Sequence, residues 1–517
     1  MDFEALGTAM LQTLQPQNIM YVVIGVIGGI VVGALPGMTS IMLLAIVLPF
    51  TYNMEPVGAI IMMVSICSGA NYGGGITAIL FNTPGTPSAV ATALDGYPMA
   101  QQGRGGEALL ANIFASFIGG MLSWIIMVFA TPLISRFALM FGPCEYAMLL
   151  IWSLTIIAML TGSDPVKGLA AGVLGLAMST IGTEPYAGVI RYSFGFMELW
   201  EGIDVVWASI GLFALVQALK YVPIRSGSIA ASDGEISYPI LVTLKMMAKK
   251  KWLLAKSTAI GTFVGAAPGA GPVIAAFLAY GEAKRSSKTP ETFGKGNVEG
   301  VLAVEAANNA CGFGSLIPML SLGIPCSTSA ALTMAAMVVV GLIPGPTLFT
   351  DHLVEGYTIF GGGLLSNFAF LIFGLWVARH CTKLLNVRVA YLLPLIVVLA
   401  TIGVYAPDQA VFGMFIALLF CVLGYGMEML GFPIMPMLLG LILGGIMESH
   451  FVRAMIMTRR QVSRIFFYSN ICTALTIITL LTVLSIIIRA NPKLKEKVFF
   501  WQRKPLLDAS PLPEDDS

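Results

Sequence analysis

Charge is what this sequence has least of. Of its 517 residues, 28 are Lys or Arg and 27 are Asp or Glu, so only 11% are charged. Soluble domains run near 25%, and a soluble chain of this length could not cover its surface with so few ionisable groups. The residues are 57% hydrophobic, and mean hydropathy is +0.86. Together these exclude a soluble globular protein and leave a polytopic membrane protein. At roughly 20 residues per span, the apolar stretches leave room for about a dozen crossings.

Other absences narrow the function. Net charge is +1, so there is no bulk electrostatic case for a nucleic-acid partner. His352, His380 and His450 share no ligand spacing, and the seven cysteines stand singly with no C-x-x-C, so packed thiols are expected and a metal site is not. There is no G-x-x-x-x-G-K-[ST], no G-x-S-x-G, no H-E-x-x-H and no pair of Asp residues inside spans. An enzyme is therefore not expected, nor a cofactor. The first residues carry Asp2 and Glu4 but no Lys or Arg, which is not the basic start of a secretory signal. The apolar run that begins near Asn18 reads as a retained membrane segment.

What is present is long apolar sequence rich in Gly (56) and Pro (28). Continuous runs fit an all-α bundle, whereas a barrel would show ten-residue alternation. Membrane helices tolerate Gly and Pro where the freed backbone faces protein or a water-lined cavity. Uninterrupted spans read as Gly106 to Ala130, Tyr146 to Thr161, Val166 to Ile181, Val205 to Lys220, Thr358 to Val377, Val389 to Tyr405, Ala410 to Gly426, Pro433 to Met447 and Phe466 to Ile488. Asn18 to Met99 and Leu253 to Ile343 are apolar but interrupted. The basic stretches Tyr221 to Lys251 and Glu282 to Asn297 are expected on the cytoplasmic side. The resulting division is a first repeat over 1–220, a linker over 221–251, a second repeat over 252–490 and a tail over 491–517.

The repeat rests on two motifs in the same order. VGALPGMTS (Val32 to Ser40) resembles VGAAPGAGP (Val264 to Pro272) at an offset of 232. NYGGGITAILFNTPGTPS (Asn71 to Ser88) resembles NACGFGSLIPMLSLGIPC (Asn309 to Cys326) at an offset of 238, pairing Gly85 with Gly323 and Pro87 with Pro325. Basic clusters flank the second Pro-Gly motif, while Arg104 is the first basic residue in the chain, well past the first. Short arms around each motif suggest re-entrant or broken helical hairpins. The difference in charge has them enter from opposite faces, as two inverted-topology repeats. Arginines 453, 459, 460 and 464 before the last span and Lys493, Lys495 and Lys497 after it fit this topology poorly, unless an amphipathic surface helix precedes that span.

A break in mid-membrane ends one half-helix and starts another. The new helix offers free N–H groups and a positive dipole end, which suit a carboxylate; the old one offers carbonyls, which suit Na⁺. Pro36, Gly37, Asn82, Thr83, Gly85, Thr86, Pro87, Ser88, Pro268, Gly269, Gly323, Pro325, Ser327 and Thr328 are therefore candidate substrate contacts. Asn71, Asn308, Asn309 and the intramembrane Glu305 are candidates for ion coupling, since a carboxyl inside a span is functional by default. Close helix packing and back-bonding hydroxyls compete as an explanation for any single Ser or Thr. Asp95, just past the first tip loop, reads as a structural anchor. None of the four motifs contains Lys or Arg, so an anion would be held by dipoles, amides, hydroxyls and a co-transported cation.

At these motifs the sequence resembles the large membrane subunit of the tripartite tricarboxylate transporter (TctA) family. The resemblance is carried by GALPGMTS from Gly33, the long segment from Gly73 to Leu109, EAANNACGFGSLIPMLSLGIPCSTSAAL from Glu305 to Leu332, GLIPGPTLF from Gly341, and MESHFVRAMIMTRRQVSRIFF near the end. It implies a permease of a bacterial inner (cytoplasmic) membrane, driven by a Na⁺ or H⁺ gradient. Its partners would be a small membrane subunit and a periplasmic solute-binding protein that delivers an organic carboxylate, tricarboxylate being the leading candidate. Two departures are Gly75, where similar proteins are expected to carry Ser or Ala, and Cys326, where they are expected to carry Gly. A passive channel with re-entrant filter loops is the alternative reading, and a homo-oligomer stays open.

Overall fold

The computed structural model describes residues 3–35, 38–160, 164–184, 186, 188–221, 240–384, 389–405 and 410–490. Among them the chain is helical almost throughout. The one sheet they contain is a two-residue antiparallel pair, Gly182–Thr183 with Ile190–Arg191. The protein is an all-α polytopic membrane protein. Among the described residues, six helices are long and apolar enough to cross a bilayer by length and composition: Pro16–Ala34, Pro56–Phe81, Ala89–Ala138, Leu353–Arg379, Val411–Met429 and Ile434–Met457. Further apolar helices among the described residues run 10–17 residues. The span read as ending at Met447 continues to Met457, and the last helix starts at Asn470. Of the acidic residues at span ends, Glu448 pairs with Arg191 at 2.7 Å, and Glu428 pairs with Lys220.

The layering follows from a solvent of lipid. Val411–Met429 turns Val411, Phe415, Leu418 and Val422 outward, as a bilayer-facing helix must. Helices Pro56–Phe81 and Val298–Leu322 lie at the centre and are buried along most of their length. The site and its surroundings are built from α1 (Pro16–Ala34), α2 (Ser40–Val47), α3 (Pro56–Phe81), α4 (Ala89–Met99), α5 (Gly105–Ala138), α6 (Lys251–Ala266), α7 (Gly271–Ser286), α8 (Val298–Leu322), α9 (Thr328–Val339) and α10 (Leu353–Leu384).

The two halves pack alike. α1 lies on α3, and α6 lies on α8. Glycines let the backbones touch: a Cβ at Gly29 or Gly33 would run into the backbone of Ile66 or Ala70, and one at Gly261 or Gly265 into Ala307 or Cys311. Each central helix is also covered by the other half. α5 packs on α8 while α10 packs on α3; α4 packs on α8 while α9 packs on α3.

The breaks correspond as well. After α1 the chain turns extended at Leu35, and after α6 at Ala267; each cap N–H bonds the carbonyl three residues back. After α3 and α8 it turns left-handed, at Asn82 (φ 52°) and Gly323 (φ 71°). Thr83 N–H then bonds Thr77 O and Ile324 N–H bonds Pro318 O, both at 3.3 Å, which is the Schellman closure of a helix end. Asn82 therefore falls on Gly323, an offset of 241 rather than 238. Pro84 matches Pro325, Gly85 matches Cys326, Thr86 matches Ser327 and Ser88 matches Ser329. Gly-x-Pro occurs in both loops, but at positions three residues apart in structure.

Candidate functional site

Four helix starts meet at one cavity of about 180 Å³. Thr39 and Ser40 open α2, Thr86 to Ser88 precede α4, Pro272 and Val273 open α7, and Ser327 to Ser329 open α9. Each start is a restart after a break, and two of the four carry a side-chain cap. Thr39 Oγ1 accepts the Met42 N–H at 3.4 Å, and Ser327 Oγ accepts the Ala330 N–H at 3.1 Å. Asn71 of α3 and Cys311, Gly312 and Ser315 of α8 complete the wall. No charged side chain lines it among the described residues. Four positive dipole ends with hydroxyls and N–H groups around one space form a surface suited to an anion.

A smaller cavity of about 30 Å³ adjoins it and shares Asn71, Gly312, Ser315 and Ser329. Ser68, Asn309 and Thr333 belong to it alone.

Glu305 lies in neither lining. It is fully buried, taking hydrogen bonds from Thr92 at Oε1 and from Ser116 at Oε2, the latter at 3.3 Å. These donors come from α4 and α5 of the first half, so the carboxyl joins the halves. Gly75 makes room for it: a Cβ there would overlap Asn112 and Glu305 Oε1. Asn308 Nδ2 donates to Asn71 O, and Asn309 Nδ2 donates to Glu305 O at 3.5 Å. Asp95 is also fully buried. Its Oδ1 accepts the N–H groups of Gly294, Gly296 and Asn297 at 2.8, 3.0 and 2.8 Å, tying α4 to the turn that starts α8. Arg104 reinforces the same junction by donating to Gly296 O while pairing with Glu107.

Of the candidate contacts, Thr86, Pro87, Ser88, Ser327, Thr328 and Asn71 come together in the larger cavity, and Asn71 and Asn309 in the smaller. Asn82 and Thr83 do not reach either. Asn82 is the left-handed cap, and Thr83 turns back to bond Phe81 O, leaving both exposed. Gly85, Pro268, Gly269, Gly323 and Pro325 shape the turns instead of lining the space. Gly269 has φ 79° and donates to Cys326 O at 3.0 Å. Gly323 borders a different cavity, beside Pro344. Pro36 and Gly37 lie outside the described residues. Thr39, Ser40, Pro272, Ser315, Ser68 and Thr333 were not picked out from sequence. Thr39, Ser40, Pro272 and Ser315 sit within the repeat motifs themselves, so the signal was there; Ser68 and Thr333 carry none beyond lying one helical turn from a motif.

The family model for the tripartite tricarboxylate transporter TctA family matches residues 19–439. An Agrobacterium vitis protein described as "Uncharacterized 52.8 kDa protein in TAR-I ttuC' 3'region" is 34% identical over 491 residues, 94% of this chain and 96% of its own length. A second from the same organism, "Uncharacterized protein in TAR-II ttuC' 3'region", is 34% identical over 239 residues, 46% of this chain and 98% of its own length. No solved structure matches the chain.

Proposed function

Because the chain belongs to the tripartite tricarboxylate transporter TctA family, a transporter family, we propose that it is the permease of an ion-coupled importer of organic carboxylates. Citrate-like tricarboxylates lead, with dicarboxylates next. Na⁺ or H⁺ supplies the driving force, and the setting is a bacterial inner membrane. The observation that carries the reading is the cavity where four helix starts converge without a charged side chain. Such a site holds a carboxylate by backbone dipoles and hydroxyls, so a co-transported cation contributes the missing positive charge. Affinity for the anion then depends on the cation, which is what coupling requires.

The matched breaks, the crossed packing and the basic flanks around the second motif alone support two inverted-topology repeats. In that arrangement the hairpins and tip loops move against the remaining spans, an elevator-like form of alternating access. A small membrane subunit and a periplasmic solute-binding protein would deliver the substrate. Reconstitution tests this. The chain with those two partners, in proteoliposomes, is expected to concentrate labelled citrate or succinate under an inward Na⁺ or H⁺ gradient. Flux that is only downhill and independent of either ion would replace this reading with a channel.

A further inference from the structure

We infer that the smaller cavity, beside the proposed carboxylate site, is a binding site for a dehydrated monovalent cation of the size of Na⁺. The inference rests on the carboxylate reading for its role in transport, but not for its existence. Its volume of about 30 Å³ is the room of a single water or bare ion. Six oxygen-bearing side chains line it: Ser68 and Asn71 from α3, Asn309 and Ser315 from α8, Ser329 and Thr333 from α9.

The hydrogen bonds decide the sign of the guest. A hydroxyl has one proton to give and two lone pairs to receive. Ser68 gives its proton to Val64 O at 3.1 Å, Ser315 to Gly312 O at 2.8 Å and Thr333 to Ser329 O at 2.9 Å. Asn309 gives an amide N–H to Glu305 O. Those three hydroxyl donors are spent on helix backbone, and what Ser68, Ser315 and Thr333 have left is oxygen lone pairs, which the side-chain oxygens of Asn71 and Asn309 can join. Three hydroxyls that can only accept, together with two amide oxygens, favour a cation. The lining contains no carboxylate, so it lacks the charge that a divalent ion demands. The balancing charge would be the anion next door, across the shared Asn71, Ser315 and Ser329.

The matched halves give a second, independent argument. Thr333 corresponds to Thr92, Val64 to Glu305 and Ser68 to Asn309. In the first member of each pairing the position opposite the threonine is apolar Val64, which lines the cavity. In the second it is the Glu305 carboxylate, to which Thr92 donates. Where one half has a carboxylate against its threonine, the other has space and unspent lone pairs.

The test uses the purified full-length chain in detergent, with NaCl exchanged for KCl or choline chloride at constant ionic strength. Na⁺ is expected to raise the unfolding temperature saturably, and choline is not. Thr333→Val keeps the shape and removes the oxygen; it is expected to raise the Na⁺ midpoint at least tenfold, and Ser68→Ala to act in the same direction. Thr333→Ser, which keeps the hydroxyl, is expected to stay near the wild-type midpoint. The inference is overturned if the unaltered chain shows no Na⁺-specific shift, a result that needs no variant to fold. It is also overturned if Thr333→Val and Ser68→Ala leave the midpoint where it was. Failure of the transport reading looks different: citrate and succinate neither enter vesicles nor shift the unfolding temperature, while the Na⁺ effect persists.

Discussion

The two halves of the interior break their helices at matched places and differ in the side chains around those breaks. Asn82 and Gly323 end their helices alike, yet at the matched positions around them Gly85 faces Cys326, Asp95 faces Ala336, Glu305 faces Val64 and Thr86 faces Ser327. Both Asp95 and Glu305 have apolar counterparts. Each is buried at the junction of α4 with α8, and the matching junction of α9 with α3 has neither. The lesson is that matched breaks place the helices alike, while the side chains at unequal positions give each junction its own contacts. Each unequal pair can be tested by changing one member.

The largest effect is expected at Gly85. A Cβ there would overlap the Gly33 carbonyl oxygen, a backbone atom that cannot swing aside. Cys326, its counterpart, carries a full side chain and sets its thiol toward Ala266 O at 3.5 Å. Gly85→Ala should cost about 3 kcal/mol or more through forced displacement of the loop, seen as loss of folded protein in detergent. Cys326→Gly should fold. Equal tolerance at both positions would break the comparison, because it would mean that the first loop is as roomy as the second.

Asp95 comes next. Three backbone N–H groups converge on one of its oxygens, and bonds to a charged acceptor are stronger than neutral ones. Asp95→Ala leaves those donors without their acceptor. A loss of about 3 kcal/mol follows from the cost of unsatisfied buried donors, read as a lower unfolding temperature. Asp95→Asn keeps an acceptor oxygen and should lose less. A folded, unchanged Asp95→Ala protein would show that α4 does not depend on this anchor.

Glu305→Gln is expected to cut ion-driven uptake about tenfold, a change of roughly 1.4 kcal/mol in the barrier, while folded yield is kept. The variant preserves shape but replaces an acceptor of the Thr92 or Ser116 hydroxyl with an amide. Normal uptake would remove Glu305 from ion coupling and leave it as a bridge between the halves.

The all-α polytopic architecture was legible in the composition, since lipid demands apolar outward faces and backbone satisfied within each helix. The breaks were legible too, because Pro and Gly act locally. The pairing of the tip loops was misread by three residues. Gly85-x-Pro87 and Gly323-x-Pro325 share letters, whereas the structural match depends on a left-handed cap that Asn fills in one loop and Gly in the other. Of the site, the hydroxyls at Thr86, Ser88, Ser327 and Thr328 could be read because they follow a break at once. Ser68 and Thr333 could not. They sit inside continuous helices, and only the approach of α3, α8 and α9 in space makes them neighbours. Asn82 and Thr83 lie outside the cavity lining, because a polar residue at a break can serve the turn rather than the cavity.

The smallest effect is expected at Ser327, and it sharpens the comparison most finely. Ser327 is the N-cap of α9, and its Oγ accepts the Ala330 N–H. At the matched place the Ala89 N–H bonds the Thr86 backbone carbonyl at 3.0 Å, and the Thr86 hydroxyl lies against Ser88 Oγ instead. One loop therefore caps its helix with a side chain, and the other does so with backbone. Ser327→Ala should cost about 1 kcal/mol, the usual worth of such a cap, measured as a small fall in unfolding temperature. Thr86→Ala has no cap to lose and should leave stability nearly unchanged. If both variants weaken carboxylate uptake but only Ser327→Ala lowers stability, the hydroxyls serve the same cavity while playing unequal parts in holding the fold. If the stability losses are equal, the two loops are capped alike, and the asymmetry at this pair disappears.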